Sequence, residues 1–365
     1  MSLSNLFRLA VAAAFTVCVF AHAKRSPEEM IEHHQQVARG TEILTQCLGS
    51  PAMKQLNARI IAKRQESLTY LRRARDINIK PRITDLPEDI PARNKWHAIN
   101  HDKSSKFQDK TKEQIKNDEE LFEFKWKDNP SKPRSSTCIL TPENVWGPYW
   151  TKRAPYRQDI REDQKGVYMR LAFQVVNIAT CAPLQGARVD IWQANATGTY
   201  AKQVKDDTKK DVHWLTGAQS TSSWGTADFD TIFPGHYYGR AVHTHVAIRP
   251  KQKFNDPKGF VHTGQIFYDE YPRQQINVSY SSLLAITIID RLQLMDPYSR
   301  NHEIVVDNLR DAYTANGATD TYDPFAQWAW LDDHNHGDGL IAWITIGVNL
   351  TTTIVSGYPD GFPEG

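Results

Sequence analysis

Val167-Tyr-Met-Arg-Leu-Ala-Phe-Gln-Val175 alternates apolar and mixed side chains along its whole length. Successive residues of a strand point to opposite faces, so the alternation predicts a half-buried strand. Ala187 to Trp192, Ala227 to Phe233, His243 to Ile248 and Leu340 to Val348 also read as strands, separated by Gly, Pro and Asp turns. Leu340 to Val348 is apolar on both faces and is therefore placed centrally in its sheet. Short strands, frequent turns and few helices predict a mainly β fold, an antiparallel β-sandwich over residues 136–365. Trp192 and Trp343 read as core.

The chain upstream has a different texture. Ser26-Pro27-Glu28-Glu29 supplies a cap, a first-turn proline and early acids, which start a helix running to about Cys47. Ser50-Pro51 starts a second, basic helix to about Ile77, so residues 24–80 are expected to form a helical N-terminal extension. Residues 81–135 are polar and weakly periodic, a connecting segment with little core of its own. Residues 1–23 fit a secretory signal peptide. Met1 to Arg8 holds one positive charge, Leu9 to Ala21 is almost purely apolar, and Ala21-His22-Ala23 fits a cleavage site. That apolar run is too short to span a bilayer. The expectation is a secreted, extracellular protein with no membrane anchor once the signal is removed.

With 44 basic and 42 acidic residues among 365, the net charge of +2 gives no reason to expect nucleic acid as a partner. Oligomeric state is not legible. Beyond the signal, Cys47, Cys138 and Cys181 remain, an odd number. In an oxidising compartment the favoured disulfide is Cys138 with Cys181, since both flank sandwich strands, and Cys47 with Cys138 is the rival. Sequons begin at Asn195, Asn277 and Asn349.

Phe233-Pro-Gly-His-Tyr-Tyr-Gly-Arg-Ala-Val-His-Thr-His-Val-Ala-Ile248 concentrates polar groups in a strand that apolar side chains would hold better. Buried polar groups need partners or a ligand. Residues two apart share a strand face, so His243 and His245 project side by side as half of a metal site, with Thr244 opposite. A second His-x-His, His334 and His336, lies among turn residues and reads as a solvated loop. A cupin would need a glutamate soon after its second histidine, and Val246-Ala-Ile-Arg-Pro250 has none. His262 is a conceivable third histidine with nothing beside it in support.

In order along the chain, these segments resemble the intradiol ring-cleavage dioxygenases over about Thr137 to Val348. Thr141-Pro-Glu-Asn-Val-Trp-Gly-Pro-Tyr149, Val189-Asp-Ile-Trp-Gln-Ala-Asn-Ala-Thr-Gly-Thr-Tyr200, Pro234-Gly-His-Tyr237, Arg240-Ala-Val-His243-Thr-His245 and Gly264-Gln265-Ile-Phe carry the likeness. The resemblance implies non-haem Fe(III) held by Tyr200, Tyr237, His243 and His245. It implies a small aromatic diol and O2 as substrates, with the catechol ring opened between its two hydroxyl-bearing carbons to a muconate-type diacid. Tyr200 would take up a substrate proton, Arg240 and Gln265 would stabilise charge on the ring, and Tyr149 would line the pocket. Because Asn195 lies within the motif ending at Tyr200, its sequon is expected to be unused, leaving Asn277 and Asn349 as glycan sites. The alternative is a catalytically silent extracellular sandwich that binds aromatic or polymeric ligands.

Overall fold

The computed structural model describes residues 51–75, 77, 101–107, 146–180, 182–204, 212–255, 259–269, 296–303, 306, 308, 310–311, 313–314, 323–332 and 335–351. The signal segment, the first expected helix, Cys47, Cys138, Cys181 and Asn277 lie outside these residues, as do Thr141 to Val145 of the first motif.

Two sheets form the body, and the fold is mainly β as expected. The first contains β1 (Tyr168–Asn177), β2 (Ala182–Pro183), β5 (Thr226–Ile232), β8 (Gln327–Trp330) and β9 (Leu340–Val348), in the order β2-β1-β9-β8 with β5 also on β1. The second runs β4-β3-β6-β7, from β3 (Arg188–Trp192), β4 (Thr216–Ser220), β6 (His243–Arg249) and β7 (His262–Phe267). One pair departs from the antiparallel expectation: β1 and β9 run parallel, from Met169 opposite Leu340 to Asn177 opposite Val348. A parallel neighbour needs a long crossover, and here the chain between Asn177 and Leu340 builds the entire second sheet. As its two-faced apolarity predicts, β9 lies inside its sheet, between β1 and β8.

Alternation decides what each face touches. Leu171, Phe173 and Val175 of β1 meet Phe229, Val189, Ile191, Val246, Ile248 and Ile266 between the sheets, all buried. Each such side chain taken from water contributes about 1.5–3 kcal/mol. The outer face of the first sheet is covered in turn. Helix α1 (Pro51–Ala74) lays Ile61, Leu68 and Leu71 on Tyr168, Ala172, Ile341 and Trp343, and Phe107 meets Trp343 edge-on at 5.8 Å. Arg72 ties the helix end to the sheet, donating from Nε to the Leu331 carbonyl (2.7 Å). The second expected helix therefore packs as part of the sandwich's cover.

Residues 101–107, within the segment read as having little core, are also pinned. The Lys103 N–H donates to the Trp328 carbonyl and the Trp328 N–H to that of His101, at 2.7 and 3.1 Å. His101 is fully buried, with Nδ1 against Asp269 and Nε2 3.3 Å from Asp323, and its ring stacks on Phe325. Burial opposes the imidazolium, but Asp269 and Asp323 outweigh it and raise the pKa from 6.5 to about 9. The folded form thus binds the proton more tightly than the unfolded chain. This clamp should stabilise fully below about pH 6.5 and lose its contribution as pH rises through about 9. Urea midpoints measured across that window should fall in the wild type and fall less steeply in His101→Asn. Parallel curves for the two proteins would refute the clamp.

Candidate metal centre

Strand β6 lies between β3 and β7, and its alternation separates two jobs. Thr244, Val246 and Ile248 face the first sheet, where the Thr244 hydroxyl meets Gln193 Oε1 at 2.9 Å and the Tyr268 hydroxyl at 2.8 Å. His243, His245 and Ala247 face outward, under a cover of Trp146, Trp150, Trp192, Tyr200 and Phe260. Trp192, opposite His245 on β3, stacks on its ring at 4.9 Å and 6°. The loop at Trp146–Trp150 closes over the top, held by the Trp192 indole N–H donating to the Pro148 carbonyl (3.1 Å). Gly147 lies directly on the imidazole, because any Cβ there would fall 2.0 Å from His245 Cε1.

The side chains singled out in sequence converge. Nε2 of His243 and Nε2 of His245 lie 3.2 Å apart, and the Tyr237 hydroxyl is 3.3 Å from the former. Two imidazole nitrogens about 2.1 Å from one ion in neighbouring positions would be separated by about 3 Å, so this spacing suits a shared metal. His243 Nδ1 is 2.7 Å from the Ala241 carbonyl. A carbonyl can only accept, so Nδ1 carries the proton and Nε2 turns its lone pair to the centre. Burial, with Arg240 beside it, holds His243 well below the usual histidine range, so the ring stays neutral. Tyr200 lies on the same side, its ring 5.6 Å from Tyr237 and 6.1 Å from His245. Its hydroxyl is buried and interacts only loosely with that of Tyr237, which leaves it short of a full partner unless something binds there. Burial, reinforced by Tyr237, pushes the Tyr200 phenol well above 10, and burial pushes that of Tyr237 up to about 12. Both are neutral until a cation draws off their protons. The donor set fits a hard metal ion.

Arg240 stands beside the donors, buried, with Nη1 3.2 Å from the Tyr237 hydroxyl and Nη2 donating to Gln265 Oε1. Gln265 is opposite His245 on β7 and so faces the same centre, and its amide nitrogen has no partner among the described residues. Tyr149 packs on Tyr200 with ring centres 4.9 Å apart, from a backbone at φ 76° that non-glycine residues seldom adopt. Sequence reasoning missed Asp311, the buried carboxylate that receives Arg240 Nε at 2.8 Å. It comes from a polar stretch with no periodic signal. His262 lies opposite Ile248, on the core side of β7, and His336 packs on Trp330 at 4.1 Å; neither joins the cluster. His334 is outside the described residues. Among the described residues no trio of His, Cys, Asp or Glu could hold a metal ion.

Gly147→Ala should push the His245 ring aside and weaken metal binding by about 10–100-fold, as support mutations around ligands do. Metal titration of the folded variant, with its imidazole resonances, checks this. Unchanged affinity would mean that the loop does not rest on His245.

A family model, Dioxygenase_C, described as dioxygenase, matches residues 145–256. Among solved structures, an intradiol ring-cleavage dioxygenase from Tetranychus urticae is 28% identical, covering 59% of this chain and 96% of its own, at a TM-score of 0.45. The dioxygenase domain of a carbohydrate-binding fusion from Streptomyces sp. SirexAA-E is 23% identical over 57% and 98%, at 0.37. Catechol 1,2-dioxygenase from Pseudomonas arvilla C-1 is 19% identical over 63% and 65%, at 0.32. No match was found among curated proteins. The family model extends from the loop over His245 to beyond β6, taking in Tyr200, Tyr237, His243 and His245 in the order that builds the cluster, and over those residues the chain is similar to the dioxygenases that the model describes.

Proposed function

We propose that the protein is a secreted non-haem Fe(III) dioxygenase that opens catechol-type rings between the two hydroxyl-bearing carbons, giving muconate-type diacids. The observation that carries this reading is the convergence of two imidazole nitrogens and the Tyr237 phenol oxygen above one buried face of β6, with the Tyr200 ring beside them. Phenolates are hard anionic donors and suit a ferric ion. A ferric ion held by Tyr200, Tyr237, His243 and His245 would supply electron withdrawal from a catecholate ring, making that ring open to attack by O2.

The chain's own residues supply the rest. His243 and His245 turn their Nε2 atoms to the centre, the first fixed by its bond to Ala241 and the second by its stack on Trp192. Tyr200, once a bound cation has drawn off its phenol proton, can take a proton from a catechol hydroxyl at its phenolate oxygen. The Arg240 guanidinium and the Gln265 amide nitrogen offer N–H groups to negative charge growing on the ring. Trp146, Trp150, Trp192 and Phe260 back the ligands with apolar surface and keep water from the donors. Tyr149, stacked on Tyr200, forms a wall against which an aromatic substrate can lie.

The signal-like segment of residues 1–23 supports secretion, and glycans at Asn277 and Asn349 and a Cys138–Cys181 disulfide are proposed with it. Asn195 should stay bare. Its Nδ2 donates to Gln164 Oε1 (3.1 Å), and its Oδ1 accepts from the N–H groups of Thr197 and Thr199, so the amide braces the loop leading to Tyr200. Peptide mapping of secreted protein should find Asn195 unmodified, and full occupancy there would contradict this placement of the loop.

Purified protein should contain iron and be coloured by phenolate-to-iron charge transfer. Tyr237→Phe should bleach it and lower ring cleavage of catechol by at least about 100-fold, since a ligand and its charge are both lost. Iron analysis, the visible spectrum and product identification test the reading together. Colourless, iron-free protein that still bound catechol would overturn it in favour of the silent binding module.

A further inference from the structure

Asp311 is a buried carboxylate bonded to Arg240, and the chemistry above does not use it. Both of its oxygens are saturated. Oδ2 accepts from Arg240 Nε (2.8 Å) and from the Ala241 N–H (2.7 Å); Oδ1 accepts from the N–H groups of Tyr313 (2.8 Å) and Thr314 (3.1 Å). The Asp311 side chain is fully buried and that of Arg240 nearly so, and the Tyr313 ring covers the guanidinium, its centre 4.3 Å from Cζ.

Two chains of contact leave this carboxylate. Through Arg240 it reaches the Tyr237 hydroxyl and Gln265 Oε1; through the Ala241 peptide it reaches His243, whose Nδ1–H donates to the Ala241 carbonyl. A turn at Tyr313–Thr314 needs only a capping oxygen. Sinking a guanidinium beside that cap adds the desolvation of two charges, which stability alone does not require. The arrangement does make a long, flexible side chain rigid at the point where its remaining N–H groups face the donors.

We propose that Asp311 is a positioning residue for the reaction, holding the Arg240 guanidinium, and with it the Ala241 peptide behind His243, in the working geometry; this rests on the dioxygenase reading of the centre. Asp311→Asn tests it sharply. The amide has one acceptor, so if it keeps capping Tyr313 and Thr314 it turns an NH2 toward two N–H donors, and Arg240 loses its anchor.

In metal-free protein labelled with 15N-arginine, the Arg240 Nε–H should exchange slowly in the wild type and at least about tenfold faster in Asp311→Asn. In ferric protein, kcat for catechol should fall by about 100-fold with KM changed less than about threefold, the pattern of a lost transition-state contact. If Asp311→Asn does not fold, Asp311→Glu keeps the charge, displaces the guanidinium by one methylene and should show the same split. Unchanged exchange, or faster exchange with kcat unchanged, would overturn the proposal. A wild type that cleaves no catechol, alongside faster exchange in Asp311→Asn, would sink the dioxygenase reading and leave the anchor standing.

Discussion

The arrangement depends on the two-residue repeat of β6. One strand sends Thr244, Val246 and Ile248 into the space between the sheets and His243 and His245 out of it. The apolar half holds the strand in register against β3 and β7, and that rigidity brings two imidazole nitrogens within 3.2 Å of each other. A slip of one residue would exchange the two sets, burying imidazoles in the core and emptying the centre. Fold and ligand geometry are therefore one constraint.

Around that strand, each donor is fixed from a different direction. Trp192 comes from β3, Gln265 from β7, Gly147 from the loop above, and Tyr200 and Tyr237 from the segments flanking the second sheet. The backbone is drawn close wherever this happens. Gly147 must lack a side chain to admit the His245 ring, and Gly198, at φ 84°, leaves room for the His236 carbonyl 2.3 Å from where a Cβ would stand. The price of such close approach is low tolerance for substitution in the loops that supply the donors.

Much of this was legible in the sequence, for physical reasons. Strands β1, β3, β5, β6 and β9 alternate or are long apolar runs, and those patterns depend only on neighbours along the chain. The pairing of His243 with His245 follows from the same period. What was not legible depends on contacts distant in sequence. Strand β8, Gln327–Trp330, is four residues buried on both faces and has no period to read. The parallel register of β1 on β9 joins residues about 170 positions apart. Asp311 is 71 positions from Arg240 and sits in polar sequence that resembles solvated loop. His101 is invisible in the same way, since the two carboxylates that give it a role lie 168 and 222 positions further on.

Placing the chemistry on the outer face of the second sheet, instead of between the sheets, separates what must stay from what can vary. The sandwich interior rests mainly on apolar packing, with the hydrogen bonds of Thr244 to Gln193 and Tyr268 as a polar exception, and its side chains point away from what lies above β6. Those parts of the cover that make no close backbone approach and supply no donor can then diverge in length and composition, leaving the scaffold's cohesion intact. What the cover admits can then change while the architecture beneath it stays still.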